Sequence, residues 1–224
     1  MTNTKPIVAI DGPAGSGKST VAKAVARKLG LFYIDTGAMY RALALKARRE
    51  KLDPSDIEEL IALTLRTEIS LDYDAASGTL RVFLDGQDVS EDIRMPEVTQ
   101  QVSQIARIRE IRSHMVELQR KLAVGKKAIL EGRDITTVVF PDAYKKFFLD
   151  ARPQERVKRR FLEMKEKHLD VDESLVRKDI HNRDHIDSTR ECAPLTQAPD
   201  AVYIDTTQMT IDQVVETVIR EINR

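Results

Sequence analysis

Short apolar runs alternate along the chain with longer stretches in which apolar residues recur every three or four positions. The longer stretches have the spacing of helices with one buried face, and the short runs have the length of buried strands. Five short runs predict strands, at residues 7–10, 31–35, 128–130, 146–149 and 201–205. The pattern therefore predicts an α/β fold, with a five-stranded parallel sheet covered by helices on both faces and ligands at the carboxyl ends of the strands.

A different pattern interrupts this alternation between the second and third predicted strands. Segments 69–73 and 80–84 flank a turn at Gly78 and predict an antiparallel β-meander. A meander within a series of parallel strands is explained most simply as an inserted subdomain. We therefore expect one domain over residues 1–224, with a core of residues 1–66 and 99–224 and an insertion at about 67–98.

Capping signals and charge describe other parts of the chain. Ser55 with Glu58, and Thr210 with Gln213, have the spacing of capping boxes at helix starts. Residues 152–190 carry basic and acidic side chains in nearly equal number. This balance predicts two exposed helices.

The loop after the first predicted strand carries the strongest motif. It matches G-x-x-x-x-G-K-[ST] between a strand and a helix, which is typical of a phosphate-binding loop. Its glycines let backbone N–H groups converge on phosphate oxygens, and the helix points its positive end at them. We expect Lys18 to reach the β- and γ-phosphates and Ser19 to hold Mg²⁺. The predicted ATP-binding residues are Gly12, Pro13, Ala14, Gly15, Ser16, Gly17, Lys18, Ser19 and Thr20.

Composition limits the binding partners and the cellular compartment expected for this protein. The 36 basic residues balance the 36 acidic ones, which argues against binding nucleic acid or membranes through bulk charge. The single cysteine, Cys192, excludes an intramolecular disulfide and suits a reducing compartment. No apolar run approaches the ~18 residues of a membrane span, and the first residues lack a signal-peptide pattern. We expect a cytoplasmic monomer that binds small molecules.

The phosphate loop alone fits kinases, ATPases, GTPases and motors. The D-x-x-G and N-K-x-D motifs expected of a GTPase do not occur in this chain. A motor or transport ATPase normally needs a longer chain. The class that remains is a small phosphotransferase.

Two charged clusters after predicted strands support this class. Thr36 and Arg41 lie at a helix start, where an anion is stabilised, and could hold a second phosphate facing the first. The alternative is a helix cap beside a surface arginine. Glu131 could act on Mg²⁺ or its water shell, and Arg133 could grip a phosphate with two hydrogen bonds. Here the alternative is a buried ion pair near a turn.

A third cluster lies within the charged region. Arg156 and Arg160 are four residues apart, as are Arg183 and Asp187, so each pair shares a helix face. Together with Arg190, they could supply positive charge to a phosphoryl group in transfer. A pair of solvated charged helices is the alternative, and this stretch taken alone favours it.

Taken together and in order, these motifs resemble those of bacterial cytidylate kinases. The resemblance runs essentially end to end and is carried by segments 12–20, 35–41, 131–134, 138–143, 148–151 and 193–195. It implies a nucleoside monophosphate (NMP) kinase fold, in which the meander is an NMP-binding insertion and residues 152–190 form a short helical lid. It also implies transfer of the γ-phosphate of ATP to CMP or dCMP with Mg²⁺.

The resemblance assigns residues by matching position. The implied acceptor residues are Thr36, Arg41 and Arg133 for the phosphate, Ser103, Arg112 and Asp134 for cytosine, and Arg183 and Asp187 for the sugar. The implied catalytic residues are Lys18, Arg156, Arg160 and Arg190, and the implied metal residues are Ser19 and Glu131. Two alternatives stay open: a kinase for another small acceptor on the same fold, and a switch that binds ATP without turnover.

Two positions depart from the family pattern. Where the family usually reads G-R-D-x-G-T, this chain has Thr136 in place of the second glycine. If that position required a positive φ, threonine would strain it and the local backbone would differ. Glu131 stands where some relatives carry aspartate, and it has the longer side chain.

Overall fold

The structure is a computed structural model that describes residues 6–166 and 171–224, and it is built around a five-stranded parallel sheet in the order β2-β6-β1-β7-β8. The strands of the described chain are β1 (Ile7–Asp11), β2 (Phe32–Asp35), β3 (Ile69–Asp74), β4 (Thr79–Leu84), β5 (Gln87–Asp88), β6 (Ala128–Gly132), β7 (Lys145–Asp150) and β8 (Val202–Asp205). Every pairing within the five-stranded sheet is parallel. The predicted α/β fold is confirmed.

Helices flank this sheet. In the described ranges they are α1 (Lys18–Leu29), α2 (Thr36–Arg49), α3 (Ile57–Leu65), α4 (Pro96–Ile105), α5 (Arg109–Ala123), α6 (Pro153–Glu166), α7 (Glu173–Thr189) and α8 (Ile211–Ile222). None of these helices is long and apolar enough to cross a membrane. The central strands β1 and β6 are buried at every position, so the polar residues at their carboxyl ends lie inside the protein.

Strands β3, β4 and β5 form a separate antiparallel sheet, as predicted for this segment. Buried and exposed positions alternate along β3. The Tyr73 ring makes edge contacts with Phe32 and Tyr33, at centroid distances of 6.3 and 5.8 Å, so this sheet packs against the edge strand β2. Helix α4 begins at Pro96, and the expected boundary at residue 98 therefore falls inside a helix. The division into core and insertion stays a prediction.

One of the two predicted capping boxes is wrong. Asp56 caps α3 by accepting a hydrogen bond from the Glu59 amide at 3.0 Å. The Ser55 amide and hydroxyl instead both donate to Asp53, which forms a turn before the helix. A serine side chain can cap a helix or form a local turn, and here Ser55 is in the turn and Asp56 caps the helix. The box formed by Thr210 and Gln213 at the start of α8 is confirmed.

The prediction of two exposed helices over residues 152–190 is also wrong in part. Helices α6 and α7 form, but their facing sides are buried, and Val157, Val176 and Ile180 form a small apolar cluster with Ala14. Arg156, Asp187 and Arg190 are buried as well. The many charged residues of this region predicted exposed helices, because charged side chains are rarely buried without a partner. These three side chains are buried because each forms an ion pair. Within the expected lid, residues 167–170 lie outside the described residues.

The end of β1 is tied to the segment after β6 by the Asp11 carboxylate. Asp11 is fully buried and accepts hydrogen bonds from the amides of Ile135 and Thr136 and from the Thr136 hydroxyl, at 2.9, 2.7 and 2.6 Å. Burial raises the pKa of Asp11 to about 6, and the bonds from Thr136 and Ile135 oppose this shift. The segment Ile135–Val139 forms a π-helical turn. Thr136 is not among the non-glycine residues with positive φ in the described chain, so threonine is not strained there.

We predict that Thr136→Val lowers the free energy of unfolding by about 2 kcal/mol at pH 7, because it removes a hydrogen bond to a buried carboxylate while keeping the side-chain shape. Urea denaturation followed by circular dichroism measures this value. Thr137→Val is the matched control, since the neighbouring hydroxyl is buried and has no hydrogen-bond partner among the described residues. We expect no loss in the control. Equal losses in both variants would show that the bond to Asp11 stabilises nothing.

Candidate active site

The phosphate loop, residues 12–20, runs from the end of β1 into the first turn of α1 and is packed too closely for side chains at two glycines. A Cβ on Gly12 would lie 2.0 Å from the Leu149 carbonyl oxygen, and one on Gly15 would lie 2.8 Å from the Arg156 carbonyl oxygen. Gly17 precedes α1 with φ of 88° and provides no side-chain cap. The first amides of α1 therefore have no capping side chain, which is the arrangement that binds anions at a helix start.

Lys18 lies at the start of α1 in a buried, crowded position. Its ammonium group donates to the Pro13 carbonyl oxygen at 3.2 Å and lies 3.9 Å from Glu131 Oε2. Burial and, to a lesser extent, the nearby Arg133 cation lower the pKa of Lys18 to about 7, while Glu131 opposes the shift. Phosphate oxygens in the loop would favour the charged form of this lysine.

Glu131, at the end of β6, connects several groups of the site. Its Oε1 accepts hydrogen bonds from the Ser19 hydroxyl at 2.6 Å and from the Tyr33 hydroxyl at 3.3 Å. Its backbone carbonyl accepts a bond from the Thr36 hydroxyl at 2.7 Å. Burial and the neighbouring Asp35 carboxylate raise the pKa of Glu131. A phosphate loop and a candidate acceptor residue are thus held by one buried side chain and its own backbone.

The oxygens of Ser19 and Glu131 are the candidate metal ligands. No group of three or more His, Cys, Asp or Glu side chains suited to a metal ion occurs in the described ranges. Mg²⁺ does not need such a cage, because it keeps several waters and takes one or two protein ligands together with substrate phosphates. A hydroxyl and a carboxylate already 2.6 Å apart fit this requirement.

Asp35 organises the first acceptor residues at the start of α2. Its Oδ1 caps the helix by accepting from the Ala38 amide at 2.8 Å, and its Oδ2 accepts from Arg41 at 2.9 Å. Burial acts to raise the pKa of Asp35, but Arg41 and the Ala38 amide outweigh it and leave the pKa below its ordinary value. The alternative to a phosphate site was a helix cap beside a surface arginine, and the structure contains both the cap and the arginine. Each is compatible with Thr36 and Arg41 facing a phosphate.

Arg112 and Asp134 form a buried ion pair in the predicted base site. A second Arg112 nitrogen donates to the Ala106 carbonyl oxygen at 2.8 Å, and the guanidinium lies 5.7 Å from the centroid of the Tyr40 ring. The Arg112 Nε and the Tyr40 hydroxyl are buried and have no hydrogen-bond partner among the described residues. Ser103 is buried on α4, and no hydrogen bond in the described chain joins it to Arg112 or Asp134. Two of the three predicted base residues are thus brought together.

Asp187 brings together residues that were predicted for the phosphate, the sugar and the lid. It accepts a hydrogen bond from Arg133 at 2.8 Å and lies 3.5 Å from Arg190. Arg190 also donates to the Ala193 carbonyl oxygen at 2.7 Å. Arg183 pairs with Asp179 at 3.7 Å, and its Nε is buried without a partner in the described chain. These residues join α7, which lies within the predicted lid, to the end of β6.

The other two predicted lid arginines occupy different surroundings. Arg156 is buried, donates to the Ala14 carbonyl oxygen at 3.0 Å and pairs with Asp184. Asp184 in turn accepts a bond from the Ala14 amide at 3.2 Å, so α7 is joined to the phosphate loop. Arg160 is only partly buried and pairs with Glu163 on its own helix at 2.8 Å.

Comparisons with known proteins identify the family of this chain. A family model described as cytidylate kinase matches residues 8–224. The chain belongs to the cytidylate kinase family. A protein named cytidylate kinase from Caldanaerobacter subterraneus subsp. tengcongensis is 49% identical over 224 residues, covering 100% of this chain and 97% of that protein. One from Desulforamulus reducens is 51% identical over 219 residues, covering 98% and 97%.

A comparison of folds gives a coarser result. The crystal structure of an uncharacterized protein from Eubacterium ventriosum matches with a TM-score of 0.54 at 14% identity, covering 98% of this chain and 99% of that one. At this identity the match shows the fold alone.

Sequence reasoning missed three residues that the structure places at this candidate site. Asp11 directly precedes the phosphate loop, so adjacency to that motif was its only signal, whereas Tyr40 lies inside segment 35–41, which carries the resemblance. Asp184 had no such signal, because it lies about 170 positions from the Ala14 amide that it accepts from.

We predict that binding of Mg·ADP at pH 8 takes up nearly one proton, because Lys18 has a pKa of about 7 with protein groups alone around it. At pH 8 such a lysine is mostly neutral, and the phosphates raise its pKa above the solution pH, so the proton is gained and not released. Calorimetry in buffers of different ionisation enthalpy measures the number of protons. Lys18→Met should abolish the uptake, and an unchanged uptake in that variant would assign the proton to another group.

Proposed function

We propose that this protein transfers the γ-phosphate of ATP to CMP or dCMP, forming ADP and CDP or dCDP. One observation carries the proposal: of eight buried side-chain atoms without hydrogen-bond partners in the described chain, five belong to Ser16, Tyr40, Arg112, Arg183 and Arg190. Unpartnered buried polar atoms are rare and costly. One of the five lies in the phosphate loop, and the other four lie among or beside the residues predicted for the acceptor nucleotide and for catalysis. This distribution supports binding of a polar, anionic ligand that would form hydrogen bonds with them.

The hydrogen bonds of Glu131 support a short path for the phosphoryl group from donor to acceptor. Because its side chain accepts from Ser19 and its backbone accepts from Thr36, the donor loop and the acceptor site are adjacent. An acceptor phosphate oxygen is already a nucleophile, so direct in-line transfer needs no covalent enzyme intermediate. Positioning of the two phosphates and neutralisation of their charge do most of the work.

Individual residues divide this work. Lys18 would hold the β- and γ-phosphates of ATP, while Thr36, Arg41 and Arg133 would hold the acceptor phosphate against them. Arg156, Arg160 and Arg190 are the candidate lid and phosphate arginines. Arg156 differs from Arg160 because its bonds to Ala14 and Asp184 hold the loop in place, which supports a positioning role.

Mg²⁺ is the proposed cofactor. When bound, it would neutralise phosphate charge and hold the β- and γ-oxygens in a fixed geometry. The Ser19 hydroxyl would be a direct ligand, and the Glu131 carboxylate would act directly or through a bound water.

Base recognition is proposed for the Arg112–Asp134 pair. Cytosine offers N3 and O2 as acceptors and its 4-amino group as a donor. Arg112 can donate to the acceptors, and Asp134 can accept from the amino group. Uracil has an N–H at position 3 and a carbonyl oxygen at position 4, so it would point a donor at Arg112 and an acceptor at Asp134.

Two other functions remain as alternatives to be tested. A kinase for another small acceptor would use the same fold, and a nucleotide switch would bind ATP without turnover. The predicted acceptor-phosphate residues Thr36, Arg41 and Arg133 argue against a switch, since a protein that only binds ATP has no use for a second phosphate site. A coupled assay for ADP formation with CMP, dCMP, UMP, AMP and shikimate separates all three. Turnover with CMP and dCMP well above the others is expected, and no turnover with any acceptor would contradict the proposal. That the protein is a cytoplasmic monomer stays a prediction.

We predict that base selectivity depends on Arg112 and Asp134. Arg112→Met and Asp134→Asn should each lower the ratio of kcat/KM for CMP to that for UMP by about tenfold or more, because a site group left unpaired by the wrong base no longer discriminates. Steady-state kinetics with both substrates measures the ratio. Arg41→Met is the control, since phosphate is common to CMP and UMP, and it should lower both values equally. An unchanged CMP preference in both base-site variants would mean that selectivity lies elsewhere.

We predict that Arg160→Ala lowers kcat by about tenfold or more and changes the KM for CMP less, because its charge acts mainly on the phosphoryl group in transfer. Arg177→Ala is the matched control, since Arg160 and Arg177 each pair at 2.8 Å with a glutamate on their own helix. Arg177 lies on an exposed part of α7, and its loss should leave both constants unchanged. A rise in KM alone for Arg160→Ala would identify it as an acceptor ligand.

A further inference from the structure

The Asp11 carboxylate has no role in the mechanism proposed above. It lies at the end of β1, directly before Gly12 of the phosphate loop, and is fully buried. Among the described residues, no lysine or arginine lies within ion-pairing distance of it. A buried carboxylate without a cation beside it is tolerated only through hydrogen bonds, so its hydrogen-bond partners show what it holds in place.

The chain leaves β6 at Gly132 and folds back toward Asp11. In the parallel pairing of β1 with β6, Asp11 and Gly132 lie side by side. A Cβ on Gly132 would lie 2.8 Å from Ile135 Cδ1, so the buried Ile135 side chain packs directly on this glycine. Asp134, one of the two proposed base-recognition residues, lies in the short segment between Gly132 and Ile135.

Asp11 holds the backbone that directly follows Asp134. Its Oδ1 accepts from the Ile135 amide at 2.9 Å, and its Oδ2 accepts from the Thr136 amide at 2.7 Å. The first amides of a helical turn have no acceptor within the turn, and Asp11 is the acceptor for both. Burial is the main cause that raises the pKa of Asp11, and the Asp134 carboxylate adds to it, so the two carboxylates are close enough to interact.

The far end of the same turn is held separately. Arg120 on α5 donates to the carbonyl oxygens of Val138 and Val139 at 2.8 and 2.9 Å. The Asp134 carboxylate itself accepts, within the described part of the chain, a hydrogen bond from Arg112 alone. The position of the Asp134 backbone therefore largely decides where its carboxylate points.

We propose that Asp11 is a positioning residue for base selection, which holds the turn after β6 so that Asp134 and Arg112 stay in the geometry that cytosine requires. The inference rests on the proposed function, because it takes Asp134 and Arg112 to contact the base. A displacement of about 1 Å takes a group out of hydrogen-bond range of a ligand. Asp11 itself contacts no nucleotide in this proposal, since it is fully buried and both of its oxygens are bonded to the turn.

The test uses Asp11→Asn, which keeps the shape of the side chain but turns an NH2 group toward one of the two amides. Two donors then face each other, and the backbone beside Asp134 has to move. Steady-state kinetics on one preparation of the full chain gives the ratio of kcat/KM for CMP to that for UMP, in which the fraction of folded enzyme cancels. Asp11→Asn should lower this ratio by about tenfold, mostly through a higher KM for CMP.

Thr136→Val is the matched control. It removes the third hydrogen bond to Asp11, from the Thr136 hydroxyl at 2.6 Å, and keeps both amide bonds. It should lower the melting temperature and leave the ratio of CMP to UMP unchanged. If Asp11→Asn yields no folded protein, the α-hydroxy acid analogue of isoleucine is placed at position 135. That analogue lacks the amide N–H that Asp11 accepts from, and the same loss of selectivity is expected.

Three results would overturn the proposal. An unchanged ratio in Asp11→Asn, or in the position-135 analogue where that is the variant used, would mean that these bonds do not position the base site. An equal loss of kcat/KM for CMP and UMP, with a lower melting temperature, would assign Asp11 a structural role only. An equal fall of the ratio in Thr136→Val would mean that the stability of the turn, and not the two amide bonds, sets selectivity.

The wild-type protein separates this inference from the proposed function. Wild-type protein that prefers CMP to UMP, with the same preference in Asp11→Asn, would overturn this inference alone. Wild-type protein that does not phosphorylate CMP, or phosphorylates it no better than UMP, would overturn the proposed function as well.

Discussion

The buried carboxylate of Glu131 is the interaction on which the site depends. Its side chain fixes the Ser19 hydroxyl at 2.6 Å, and its backbone carbonyl fixes the Thr36 hydroxyl at 2.7 Å. It can do both because β6 lies between β1 and β2, so its carboxyl end faces the phosphate loop on one side and the start of α2 on the other. A charged group this deeply buried is tolerated only with compensating partners, and Lys18 at 3.9 Å is the nearest cation.

Buried ion pairs also hold α6 and α7, the helices of the predicted lid, against the site. Arg133, Asp187 and Arg190 form one charged group between the ends of β6 and α7. Arg156 and Asp184 pair with each other and both contact Ala14, which joins α6 and α7 to the phosphate loop. Buried ion pairs contribute little net stability but are costly to break one partner at a time. They therefore restrict the geometry of the phosphate loop more than they stabilise the fold. Within the described part of the chain, buried donors without partners occur in Arg112, Arg183 and Arg190, which were predicted for the base, the sugar and catalysis in that order, and a substrate would supply acceptors there.

Much of the fold could be predicted because its signals are local. The strand before the phosphate loop, the helix after it and the capping box of Thr210 with Gln213 follow from residues close together in the chain. The capping box assigned to Ser55 failed for a local reason too, since Asp56 is an equally good cap one residue later. The exposure of α6 and α7 failed for a different reason. A charged residue in the sequence does not reveal whether the fold places an opposite charge or a hydrogen-bond acceptor beside it. Arg156 can be buried because the Ala14 carbonyl oxygen and the Asp184 carboxylate accept hydrogen bonds from it.

The sequence by itself determined the α/β class, the position of the phosphate loop and, through the ordered motifs, the cytidylate kinase family. It could do so because periodicity and short motifs are written in neighbouring residues. Only the tertiary structure decided that Asp11 anchors the turn containing Thr136, that Asp187 joins Arg133 to Arg190, and that Asp184 joins Arg156 to the Ala14 amide. These contacts join residues that lie far apart in the chain or on separate elements, and their formation depends on how the sheet orders its strands and where the helices cross them. No local pattern encodes that order.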